Sequence, residues 1–243
     1  MAPEIIAKDV DYRSGNEELR GYVAYPKNAK GHIPAVLIVH QWMGLTDYEK
    51  RRARQIAELG YVAFALDIYG KGVRPANTQE AGQLAGKYKG DRSAFRTKLH
   101  AGYMTMLTMP HVEPHQTAAI GYCFGGTGVL ELARTGERAL GFVSFHGGLD
   151  SLHPEEGAKI KGKVLVLHGA DDPFVPKKDI DAFVSEMKTN HVNFRMVSYP
   201  GAVHSFTQKE AGNDNSKGAA YNADADAKSW VEMKGFLAGL FKK

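Results

Sequence analysis

"GYCFGGTG" (121–128) sets the only cysteine of a 243-residue chain among glycines. It closes an apolar run, "TAAIGYC" (117–123), and opens a stretch able to form a helix. A chain that leaves a strand at Cys123 and enters a helix at once must adopt a cramped backbone. Gly121 and Gly125 relieve the crowding, and Gly126 and Gly128 let the helix lie close against a sheet. The pattern is G-x-nucleophile-x-G with sulfur in place of the more usual hydroxyl. At the start of a helix, unused N–H groups and the macrodipole favour a thiolate, and the N–H of Phe124 would face a reacting oxygen. A buried, inert cysteine is the other reading of a lone thiol. A dinucleotide loop is excluded by spacing, because G-x-G-x-x-G is absent and no acid ends the next apolar run, "GFVSFHG" (141–147).

Outward from this turn, apolar runs alternate with stretches able to form helices. "IIAKDVDYRSGNEELRGYVAYP" (5–26) reads as two alternating strands joined by a Ser-Gly-Asn turn. "PAVLIVH" (34–40), "YVAFALD" (61–67), "KVLVLHG" (163–169) and "FRMVSYPG" (194–201) read as further strands, the continuous runs being those covered on both faces. "DYEKRRARQIAELG" (47–60) reads as a helix that turns Ile56, Ala57 and Leu59 inward and ends at a left-handed Gly60. Such alternation predicts a parallel sheet with helices on both faces, in one domain spanning residues 1–243. Ligands then bind beyond the carboxyl ends of the strands.

Composition narrows the classes of function. The net charge of +4 comes from 31 basic and 27 acidic residues that are interspersed, and "KRRAR" (50–54) reads as a solvated helix face. Without a basic and aromatic platform, nucleic-acid binding is not expected. No run approaches the roughly 18 apolar residues of a membrane span. The start, "MAPEIIAKDVDYR", lacks the pattern of an export signal. One free cysteine suits a reducing compartment, so a cytoplasmic protein, monomer or homodimer, is expected. No metal-binding spacing occurs, and no metal or cofactor is expected.

A nucleophile on such a turn needs an acid and then a histidine later in the chain. "HGADDPFVP" (168–176) offers Asp171 and Asp172, the G-x-x-D spacing from Gly169 favouring Asp172, with Pro176 placed to open a helix. His204, in "YPGAVHSF" (199–206), follows the last strand. A carboxylate at 172 would hold the Nδ1 proton of His204. His168 reads as a packed strand-end residue, and His40 and His146 as cleft-edge positions. The second oxyanion donor is expected at Trp42, in "HQWMG" (40–44), beside Phe124. Met43, Tyr69, Phe174 and Phe206, with Gln41, are expected to line the substrate pocket.

With "GYCFGG", "DPFVP" (172–176), "HSF" (204–206) and "LDIYGKG" (66–72), nearly the whole chain resembles the dienelactone hydrolase family, the cysteine branch of the α/β-hydrolase fold. The resemblance implies a mostly parallel sheet of about eight strands. It also implies a Cys123–Asp172–His204 triad and cofactor-free hydrolysis of esters or lactones through a thioester. The family proper carries a glutamate where this chain has Gln41 and an arginine where it has Gln208. An anionic substrate would lose a charge-assisted anchor here. Neutral or hydrophobic esters are therefore expected, with activated phosphotriesters as a side activity. A thiol redox sensor on the same scaffold is the rival reading, although no resolving cysteine is present.

Overall fold

A computed structural model of the chain describes residues 3–241. β1 (Ile5–Ser14) and β2 (Glu17–Pro26) pair antiparallel with Ser14 opposite Glu17. The connecting loop is therefore Gly15-Asn16, and Gly15 takes the left-handed φ of +59° that such a turn demands. β2 pairs antiparallel with β4 (Val62–Ala65), and β4 pairs parallel with β3 (Ile33–Val39). β5 (Val112–Tyr122) is followed by β6 (Gly141–Phe145), β7 (Lys163–Gly169) and β8 (Phe194–Tyr199), with β6–β7 and β7–β8 parallel. The eight strands run in the order β1-β2-β4-β3-β5-β6-β7-β8, the mostly parallel α/β-hydrolase arrangement expected.

Six α-helices stand between or after these strands among the described residues. They are α1 (Asp47–Glu58), α2 (Thr78–Gly90), α3 (Arg92–Leu107), α4 (Phe124–Arg134), α5 (Lys177–Thr189) and α6 (Ala223–Leu240). None is long and apolar enough to cross a membrane. The backbone packs as two compact units, one ending at Ile120 and one beginning at Gly121. The first buries Val36, Leu37, Ile38, Phe64 and Ile56; in the second, Leu130, Val164, Val166, Phe183 and Met187 form one apolar cluster.

Several boundaries differ from the sequence reading, and three of them have a plain local reason. The strand expected at 61–67 is regular only to Ala65, because the Asp67 carboxylate turns the chain by accepting the N–H groups of Tyr69 and Gly70. The strand expected to reach Gly201 stops at Tyr199, before Pro200 and a left-handed Gly201. Helix α1 does end at a left-handed Gly60 and buries Ile56 and Ala57, but Leu59 caps it and is 37% exposed.

Candidate active site

In the second unit, Cys123 stands between β5 and α4 at φ +55°, ψ −116°, serving as the N-cap of α4. A side chain in this region costs about 1–3 kcal/mol and persists only when its surroundings dictate it. Here the Cys123 N–H donates to Phe145 O at 3.0 Å and to His146 Nδ1 at 3.1 Å. The glycines are needed as read from the sequence: a Cβ on Gly121 would lie 2.0 Å from Gly125 O. One on Gly126 would lie 2.8 Å from the Cα of Gly147, so α4 meets the turn after β6 backbone to backbone. Phe124 is the first residue of α4, among the N–H groups a helix does not use in its own ladder.

His204 comes to this sulfur from the loop after β8. Its Nε2 lies 3.0 Å from Cys123 Sγ, and its Nδ1 lies 2.8 Å from Asp172 Oδ2. The other Asp172 oxygen accepts the N–H of Phe174 at 2.9 Å. Asp171 turns away and accepts the N–H of Gly201, so Asp172 is the acid that reaches the imidazole. Burial, the largest single influence, pulls the His204 pKa down. The charge on the Cys123 sulfur and the hydrogen bonds that the ring donates to Asp172 and Cys123 together outweigh it and raise His204 to about 10. A proton on the ring facing a negative sulfur is the state this arrangement favours, and such a sulfur can attack an electrophilic carbon.

The segment after His204 is strapped to it. His204 N–H donates to Gly218 O, and Ala220 N–H donates back to His204 O, a one-residue parallel bridge. Asn215 and Asn222 both donate from their side chains to Gly201 O. Residues 207–222 thus brace the histidine loop, with α6 beginning directly after. Phe174 is 60% exposed, with its ring edge-on to His204. Phe206, expected to line the pocket, is instead fully buried and packs edge-on against His146, because the left-handed Ser205 turns the chain inward. His168 is buried, and that burial lowers its pKa, in keeping with a packed strand-end residue.

In the first unit, the loop after β3 is tightly fastened. Gln41 is buried; its Oε1 accepts the N–H of Met43, and its own N–H donates to Glu49 Oε1. Trp42 and Met43 are half-buried. Tyr69, expected to line the pocket, is 4% exposed and works from behind: its hydroxyl donates to Trp42 O at 2.9 Å, fixing that peptide. His40 is buried too, its Nε2 accepting the N–H of Ile68, and burial lowers its pKa to about 4. Glu49 accepts from Gln41, from Thr46 N–H and from Thr46 Oγ1, and Arg74 Nε donates to Leu45 O. Sequence reasoning missed Glu49 and Arg74. The Thr46-x-x-Glu49 spacing was a readable capping-box signal, whereas nothing local marks Arg74.

The model of the dienelactone hydrolase family matches residues 19–241. The chain is 35% identical to the solved structure named m3DLH, with a TM-score of 0.94, covering 98% of this chain and 99% of that one. It is also 35% identical to P91, a dienelactone hydrolase-like promiscuous phosphotriesterase from metagenomic libraries, with a TM-score of 0.92 and coverage of 98% and 99%. A protein of Synechocystis sp. named as a candidate carboxymethylenebutenolidase is 28% identical, over 96% of this chain and 97% of its own length.

Proposed function

The chain belongs to the dienelactone hydrolase family, and we propose that it hydrolyses neutral or hydrophobic esters or lactones with Cys123 as nucleophile, His204 as base and Asp172 as its orienting acid. The observation that carries this reading is the continuous line from Asp172 Oδ2 through both nitrogens of His204 to Cys123 Sγ, at 2.8 and 3.0 Å.

In the first step the thiol proton rests on His204 Nε2 and the sulfur attacks the carbonyl carbon, placing the carbonyl electrons on oxygen. Phe124 N–H is the proposed donor to that oxyanion, because α4 begins at Phe124 and a helix leaves its first N–H groups unused. Collapse breaks the bond to the leaving oxygen, which takes the proton from His204 and departs as an alcohol, leaving a thioester. His204 then removes a proton from water, hydroxide attacks the thioester, and the acid leaves as sulfur regains its negative charge. No cofactor enters these steps. In a lactone the leaving alcohol remains tethered to the acid product.

The neutral substrate follows from Gln41 and Gln208. Gln41 spends its amide oxygen on Met43 N–H, and Gln208 is a buried neutral amide, so neither offers a cation to a substrate carboxylate. An activated phosphotriester fits the same steps, since its phosphoryl oxygen also gains charge on attack; the 35% identity to P91 favours this side activity. The test is to assay the protein and Cys123→Ala on p-nitrophenyl esters, lactones and aryl phosphotriesters, with mass spectrometry for an acyl adduct on residue 123. Turnover with an adduct in the wild type and neither in the variant is expected. Equal rates would remove sulfur from the mechanism.

A further inference from the structure

We propose that His146 is a positioning residue for Cys123 and His204, a neutral imidazole that ties the nucleophile turn to the loop carrying the base; this rests on the reading of Cys123 as nucleophile. The tie has two ends. Cys123 N–H points at Nδ1 of His146 from 3.1 Å, and Nε2 of the same ring lies 2.8 Å from Thr207 Oγ1. A backbone N–H can only donate, so Nδ1 carries a lone pair and the ring proton sits on Nε2, donated to Thr207. Thr207 is three residues beyond His204 in the same buried loop.

The ring has no room to adopt another pose. His146 is fully buried, with the ring of His204 edge-on at 5.4 Å and Phe206 edge-on at 5.0 Å. Its backbone is strained as well, at φ +39°, and its N–H is fixed to Leu167 O at 2.8 Å. Among the described residues five non-glycine residues have positive φ, and three of them are Cys123, His146, which is bonded to it, and Ser205, which stands between His204 and Phe206. Strain gathered where one side chain bonds to the turn and to the loop argues for alignment of reacting groups and not for packing alone. Because Nδ1 accepts, the ring is uncharged, and His204 can carry its proton without a like charge beside it.

The Thr207 end of the tie can be cut from either side. Asparagine at 146 keeps an acceptor near the place of Nδ1 and tolerates left-handed φ, but cannot reach Thr207; Thr207→Val removes the other partner while keeping the side chain's shape. The readout is the pH profile of Cys123 alkylation by iodoacetamide, unambiguous because the chain has one cysteine, alongside ester kcat and KM. His146→Asn and Thr207→Val should each raise the alkylation midpoint by about one pH unit, which is roughly tenfold less thiolate at pH values below both midpoints. Both should lower kcat more than they raise KM, and the double variant should be no worse than the poorer single, since both cut one tie. Melting temperatures that fall while the midpoints stay at the wild-type value would overturn the proposal, and if His146→Asn does not fold, Thr207→Val decides alone. A wild-type midpoint like that of an ordinary thiol would instead sink the nucleophile reading, a result independent of either variant.

Discussion

The Asp172 carboxylate, with no solvent-accessible side-chain surface, meets Nδ1 of His204 at 2.8 Å. Asp172→Asn preserves the shape, and its amide oxygen can still accept the Phe174 N–H, but the histidine loses the partner that fixes its tautomer and charge. We expect kcat/KM on a p-nitrophenyl ester to fall by about three to four orders of magnitude while the melting temperature hardly moves. Steady-state kinetics and calorimetry on one preparation check both.

The raised pKa of His204 has a sign that stability measurements can read. Its folded value of about 10 lies above the ordinary 6.5, so its contribution is fully present below pH 6.5 and is lost as pH rises through 10. Cys123→Ala removes the sulfur charge that does much of the raising. Urea midpoints followed from pH 6.5 to 10.5 should decline more steeply for the wild type than for this variant.

Glu49 carries the opposite kind of test. Burial is the main cause of its pKa rising to about 7, although three donors converge on it and pull the other way. A carboxyl raised above its unfolded value favours the fold below that unfolded value, and the advantage disappears as pH rises through 7. Glu49→Gln would turn an amide N–H toward a donor, at a cost of about 1–3 kcal/mol. The deficit relative to wild type should be larger at pH 5 than at pH 8, in paired denaturant titrations.

Two glycines should respond to alanine in opposite directions. At Gly121 the new carbon would overlap the backbone carbonyl of Gly125, which cannot yield without dismantling the turn, so Gly121→Ala should fail to accumulate as soluble protein. At Gly86, in the exposed middle of α2, nothing lies within 4 Å. Gly86→Ala should stabilise the protein by about 1 kcal/mol, seen as a higher denaturant midpoint.

Much of this was legible in the sequence because its causes are local. Strand-turn-helix strain at Cys123 is written in the spacing of Gly121 and Gly125, and Asp172 and His204 declare themselves by following strands. The supports were not legible, since their work depends on what the fold brings beside them. His146 reads as one more strand-end histidine until Thr207 arrives at its far nitrogen. Arg134 ends a helix like any cation, yet it is buried between Glu131 and Glu186. Tyr69 and Phe206 were read as walls because aromatic side chains after strands can face either way, and here both face inward.

The contact of Gly126 with Gly147 bears on how this molecule can change over generations. Two bare backbones touching leave no volume to trade, so the ground under Cys123 is closed to drift in side-chain size. Phe174, 60% exposed beside His204, lies under no such restriction. Laboratory selection for new substrates should accordingly collect its mutations around that ring, while the glycine seam stays as it is.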